Sequence, residues 1–160
     1  MRKTICVFAF GLILLAGSTI AWAQSSSPVI QGGVQGIELC PQFICGFALF
    51  TGAFHGQVGA NPSASGSITA AMTHDDLPTV EGGIANINDG VWELRTLTRR
   101  IGGEVVTGLI RYRGGNVFDI LILLKLKSPG TSGYVLFLGE LNHNTPIPTF
   151  GGNLIQLPTP

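Results

Sequence analysis

Glycine and proline constrain this chain more than any other feature. From Val29 onward, no stretch of a dozen residues keeps a 3.6-residue apolar period without one or the other interrupting it, and the whole sequence holds 23 glycines. A glycine inside a helix costs about 1 kcal/mol relative to alanine and a proline about 3 kcal/mol. Helix is therefore excluded as the organising element. What the punctuation separates are runs of β-branched, aromatic and aliphatic residues: FALFTGAFHGQV (47–58), GSITAAMTH (66–74), GVWELRTLTRR (90–100), EVVTGLIRYR (104–113), NVFDILILLKLK (116–127), GYVLFLGEL (133–141) and TFGGNLIQL (149–157). A weaker run, VIQGGVQGIEL (29–39), precedes them. Such runs read as strands.

The connections read as hairpin turns: IGG (101–103), GGN (114–116), SPGTS (128–132) and NTPIP (144–148) are short and rich in Gly, Pro, Asn or Ser. GANPSASG (59–66) is expected to turn the chain between the first two long strands, and TVEGGIANIND (79–89) to form a long loop with at most a short strand. Sequential strands joined by short turns make a meander, and a meander hides its edges by closing or folding over. The expected fold is all-β: an antiparallel meander of about eight strands, closed into a small barrel or folded as a two-layer sandwich. TGAFHG, TGLIRYR, LGELNHN and GGNLIQ each place a glycine mid-strand with an apolar residue two positions on. Recurrent strand glycines suit a tightly curled sheet.

Alternation assigns the faces. In NVFDILILLKLK, Phe118, Ile120, Ile122, Leu124 and Leu126 share the core face; in YVLFLGEL, Val135, Phe137 and Leu141 do. Their opposite faces carry Leu121, Leu123, Leu136 and Leu138, more apolar surface than a barrel in water needs. Self-association through the sheet face, or coverage by the N-terminal segment, accounts for it most simply. A ligand-lined interior with the faces exchanged is a second account, and an outer-membrane β-barrel a third. The strongest strands offer no polar lumen face, and QLPTP at the end lacks a terminal aromatic, which disfavours the third.

Residues 1–23 read as a secretory signal peptide: Arg2 and Lys3 precede the apolar run ICVFAFGLILLA, and Ala21-Trp22-Ala23 is a small-x-small cleavage signal. Ser18 stands where a lipoprotein signal would have its cysteine. The expected product is one all-β domain, 24–160, secreted or periplasmic, with no transmembrane helix. Without Arg2 and Lys3, seven Lys and Arg face nine Asp and Glu, and no concentrated basic face offers itself to nucleic acid. Cys6 leaves with the signal, so Cys40 and Cys45 are expected to pair in the oxidising compartment. Closing so short a loop contributes about 2 kcal/mol.

Charged chemistry is sparse. Met72-Thr73-His74-Asp75-Asp76-Leu77-Pro78 is its densest stretch. The two-residue strand period puts His74 and Asp76 on one side, where they could serve general base work, with Asp75 on the other. The plainer reading is a strand end, with Asp75 and Pro78 building the exit turn. Of the other histidines, His55 should lie opposite a residue near 69, leaving His74 five positions on and roughly 17 Å away; no metal bridges them. If 79–89 is a loop, His74 and His143 end the third and seventh strands at one rim, across the barrel from each other. Candidate catalytic residues are thus His74, Asp76 and His143, with no cofactor and no metal expected. NINDG (86–90) lacks the distal Glu of a calcium loop, SASGS has no nucleophile elbow, and the glycine-rich segments open no helix for a phosphate. Trp92, Tyr112 and Tyr134 are candidates for sugar stacking or for packing.

The expected function is that of an exported bacterial non-enzymatic binding or structural module, self-associating through its apolar sheet face or holding a small apolar ligand or glycan. The alternative is a small β-barrel enzyme, an isomerase, cyclase or hydrolase, with a His/Asp rim site.

Overall fold

A computed structural model of the chain describes residues 29–39, 46–129 and 132–158. The predicted signal peptide and the Cys40–Cys45 pair lie outside the described residues. Eight strands follow one another: β1 (Ile30–Leu39), β2 (Phe47–Val58), β3 (Asn61–His74), β4 (Ile84–Thr96), β5 (Arg100–Gly114), β6 (Val117–Leu126), β7 (Tyr134–Asn142) and β8 (Thr149–Gln156). Each pairs antiparallel with the next, and β8 returns to β1, closing a barrel. The all-β meander is as expected, and closure settles barrel over sandwich.

Three local expectations are corrected. The β2–β3 connection is the two-residue turn Gly59–Ala60, and SASG belongs to β3. IGG (101–103) lies within β5; the β4–β5 turn occupies 97–99. The loop after β3 ends at Gly83, and 84–89 form the first half of β4. In contrast, GGN (114–116) is a turn, with Gly115 and Asn116 at φ 58° and 57°. Two successive left-handed residues are what a two-residue hairpin of matching twist requires.

An eight-strand barrel has an interior just wide enough for side chains to fill. Here the lumen face is the one assigned from alternation: Phe118, Ile120, Ile122, Leu124 and Leu126 on β6, with Val135, Phe137 and Leu141 on β7, are all buried. This overturns the exchanged-face account. Glycines let the wall curl tightly around large rings. Gly36 on β1 faces Gly52 on β2; a Cβ on Gly36 would meet the Gly52 Cα at 2.5 Å and the Phe150 ring at 2.7 Å, besides the Thr51 carbonyl oxygen. Small residues paired across two strands thus make room for an aromatic from a third.

Register aligns the outer face as well. Leu109, Leu121 and Leu138 are directly paired neighbours across β5, β6 and β7, and Leu123, Leu136 and Ile155 form the adjoining row across β6, β7 and β8. Ion pairs flank the two rows: Arg111–Asp119 and Arg113–Glu140 on one side, Lys127–Glu104 on the other. The outer face of β3 differs, carrying Ser63, Ser65, Ser67, Thr69 and Thr73. The outer wall is therefore apolar across β5 to β8 and hydroxylated along β3.

Candidate functional site

The lumen alternation continues to the strand ends, and at one rim it changes from apolar to titratable. On β1 the inward positions run Ile30, Gly32, Val34, Gly36 and then Glu38. On β3, Ile68, Ala70 and Met72 lead to His74; on β5, Gly108 and Ile110 lead to Tyr112; past the end of β7, Leu141 leads to His143. The opposite rim is closed by buried Ile30, Val58, Leu94, Ile101, Leu126 and Val135. Bulges between Thr73 and His74 and between Tyr112 and Gly114 sit at the titratable rim, where such irregularities commonly aim side chains.

Glu38 is the most buried charged side chain among the described residues, 3% exposed. Its carboxylate lies 2.8 Å from His143 Nε2, joining two residues 105 positions apart. The backbone fixes both ends: Glu38 N donates to the Pro148 carbonyl at 2.9 Å and His143 N to the Asn116 carbonyl at 2.9 Å. The His143 ring packs edge-on against Phe118 at 5.3 Å, and Phe118 against Tyr112 at 5.0 Å. A carboxylate held on one imidazole nitrogen leaves the other to face a ligand.

His74 is also buried, and its Nδ1 is 2.6 Å from the Asp75 carbonyl oxygen. A carbonyl only accepts, so Nδ1 carries a proton, and in the neutral ring Nε2 is left as an acceptor. Asp76 lies just beyond β3 and is exposed; it lines the same cavity as His74 without bonding to it. Asp75 builds the exit turn. Its carboxylate accepts from Asn86 N at 3.2 Å, Asn86 Nδ2 at 2.7 Å and Asn88 Nδ2 at 3.1 Å, and these amides, those of Asn88 first, hold its pKa below the usual aspartate value. The NINDG asparagines thus serve Asp75.

Glu38, His74, Asp76, Tyr112, Phe118 and His143 line one cavity of about 700 Å³ at this rim. His74 and His143 therefore do share a rim. His55 belongs elsewhere: it points outward on β2, opposite Ser65, whose hydroxyl lies 3.0 Å from its Nδ1. His74 is nine positions along β3 from Ser65, roughly 30 Å at about 3.4 Å per residue, further than the sequence suggested. Among the described residues, no group of three or more His, Cys, Asp or Glu is arranged to hold a metal ion. The three aromatics do not share a surface: Trp92 is buried in the lumen with Nε1 donating to the Lys125 carbonyl at 3.3 Å, Tyr112 lines the titratable rim, and Tyr134 faces outward near the other. Inside the lumen, apolar side chains including Phe50, Met72, Trp92 and Phe137 surround a void of only about 40 Å³, well short of the roughly 150 Å³ that accepts a benzene-sized guest.

Glu38 escaped the reading of the sequence. Its signal was parity: it occupies the slot two residues after a strand glycine that holds Phe54, Ile68, Ile110, Leu141 or Leu154 elsewhere. No family model matches the chain, and no curated protein or solved structure is significantly similar to it.

Proposed function

We propose that the protein is an exported, non-enzymatic binding module whose ligand occupies the His74/His143 rim. The observation that carries this reading is the rim cavity. Its volume of about 700 Å³ falls within the roughly 300–1,000 Å³ typical of small-molecule sites, and it combines aromatic and proline walls with a few convergent polar groups. The packed lumen beneath gives it a rigid floor. Export rests on the N-terminal sequence pattern alone. The paired leucine rows on β5 to β8 support the second part of the proposal, self-association through that face.

The outer-membrane alternative fits less well. A membrane barrel is polar within and apolar around its whole belt, whereas here the lumen is apolar and β3 turns serine and threonine outward.

One observation favours an enzyme as the second reading. The Glu38–His143 pair has the arrangement of a carboxylate that orients an imidazole for proton transfer. A small isomerase, cyclase or hydrolase would then use His143 as its base, with His74 and Asp76 across the cavity.

Native mass spectrometry of the processed protein recovered from its own host tests the leading proposal. The expected result is a species cleaved after Ala23 that retains a small organic ligand; assembly beyond a monomer would support the self-association alone. A bare monomer overturns it. Turnover of a bound compound, lost in His143→Ala, would favour the enzyme instead.

A further inference from the structure

The charges of the barrel are sorted by end. In the half that holds the cavity lie Glu38, Asp75, Asp76, Glu81 and Asp89, none of them ion-paired with Lys or Arg among the described residues. Among the described residues, the two Lys or Arg cations of that half, Arg111 and Arg113, are engaged by Asp119 and Glu140 on the outer wall. The far half has the opposite balance: Arg95, Arg99, Arg100, Lys125 and Lys127 against Glu93 and Glu104. A cavity at the acidic pole of a dipolar molecule concentrates cations at its mouth.

The lining continues that bias at short range. Among the described residues, it includes the carboxylates of Glu38 and Asp76 and no lysine or arginine. His74, donating from Nδ1 to the Asp75 carbonyl, presents Nε2 as a further acceptor in the neutral ring, and the His143 ring is held through Nε2 by the Glu38 carboxylate. An anion would meet two carboxylates with no lysine or arginine beside them among the described lining residues, whereas an ammonium group brings three N–H donors to those carboxylates. The remaining wall suits an organic body. Tyr112 and Phe118 present adjoining rings, whose faces attract cations, and Leu77, Pro78, Pro146 and Pro148 complete an apolar side.

We infer that the rim cavity binds a protonated primary amine carried on an apolar body. This deepens the proposed function and rests on the rim being the binding site. Three probes of one shape test it on the processed protein: phenethylamine, phenethyl alcohol and phenylacetate, titrated by calorimetry. The amine should bind at least tenfold more tightly than the alcohol, and phenylacetate should not bind. Asp76→Asn, at an exposed position that leaves the core untouched, should weaken the amine several-fold and leave the alcohol unchanged; Glu38→Gln should act in the same direction. Binding of alcohol or acetate as tight as that of the amine overturns the inference while leaving the rim site standing. If no probe binds and the host-derived protein carries a neutral or acidic ligand, the inference falls alone; if that protein is also empty, the rim reading falls with it.

Discussion

The two ends of the barrel continue the same alternation of inward side chains and finish it differently. At the far end the inward positions stay apolar, and Ile30, Leu94 and Val135 are fully buried. At the other end the same positions are taken by Glu38, His74, Tyr112 and His143, around a cavity. The first end is a plug that stabilises the fold; the second uses the plug as a floor. A barrel this small cannot hold a ligand in a lumen already filled by its own side chains, so the place for one is where filling stops.

The sharpest test of that contrast compares side chains of the two ends. Leu94→Ala should cost about 2–5 kcal/mol, the range for deleting a fully buried leucine, read from urea unfolding. His74→Ala removes one hydrogen bond beside a cavity already open, and should cost about 1 kcal/mol. Equal losses would erase the distinction between plug and site.

Between these extremes stands the Glu38–His143 pair. His143→Ala leaves a carboxylate at 3% exposure without its partner and should cost about 1–3 kcal/mol; His143→Gln retains a donor and should recover part of the loss. If Ala and Gln unfold alike, the pair is not what holds β1 to the segment after β7.

Much of this contrast was legible in the sequence, and what was missed has physical causes. Strand positions and lumen faces followed from alternation, because burial on one face writes a period of two into β6 and β7. The boundaries failed where the solvent face of a strand looks like a loop. Ser63, Ser65 and Ser67 are the outer side of β3, whose inner side is Ala64 and Gly66; by composition alone that segment resembles a turn. Asn86 and Asn88 likewise look like strand breakers, but their amides are satisfied by Asp75, which the sequence does not pair with them. Glu38 was missed because only closure of β8 onto β1 brings it to His143.

The two outer walls offer a smaller effect on stability and a larger one on assembly. Leu121 and Leu138 are directly paired at 40% and 39% exposure. Leu121→Glu with Leu138→Lys places opposite charges on that pair, so unfolding should shift by no more than about 0.5 kcal/mol. Sedimentation velocity should nevertheless move from an assembled species to a monomer. A wild-type protein that sediments as a monomer at all concentrations removes self-association from the proposal.

The subtlest difference between the ends lies in how each lowers the pKa of a surface carboxylate. Asp75, at the cavity end, is held down by the neutral amides of Asn88 and Asn86; Glu93, at the far end, is held down chiefly by the Arg100 guanidinium, with Arg95 adding to it. In both, the folded state binds its proton more weakly than the unfolded chain. The resulting stabilisation is complete above the unfolded values, near 3.8 for Asp75 and 4.5 for Glu93, and is lost as pH falls through the lowered folded values. Asp75→Asn and Glu93→Gln should each flatten the acid side of the thermal-unfolding profile slightly, with no change in slope above pH 6. Salt separates them. A guanidinium–carboxylate attraction at an exposed site is screened at about 1 M ionic strength, where the Debye length is about 3 Å, whereas hydrogen bonds from neutral amides are not. The Glu93→Gln difference should therefore shrink in 1 M sodium chloride while the Asp75→Asn difference persists. Equal salt sensitivity at the two sites would mean that attraction to a positive charge, and not its local amides, governs Asp75.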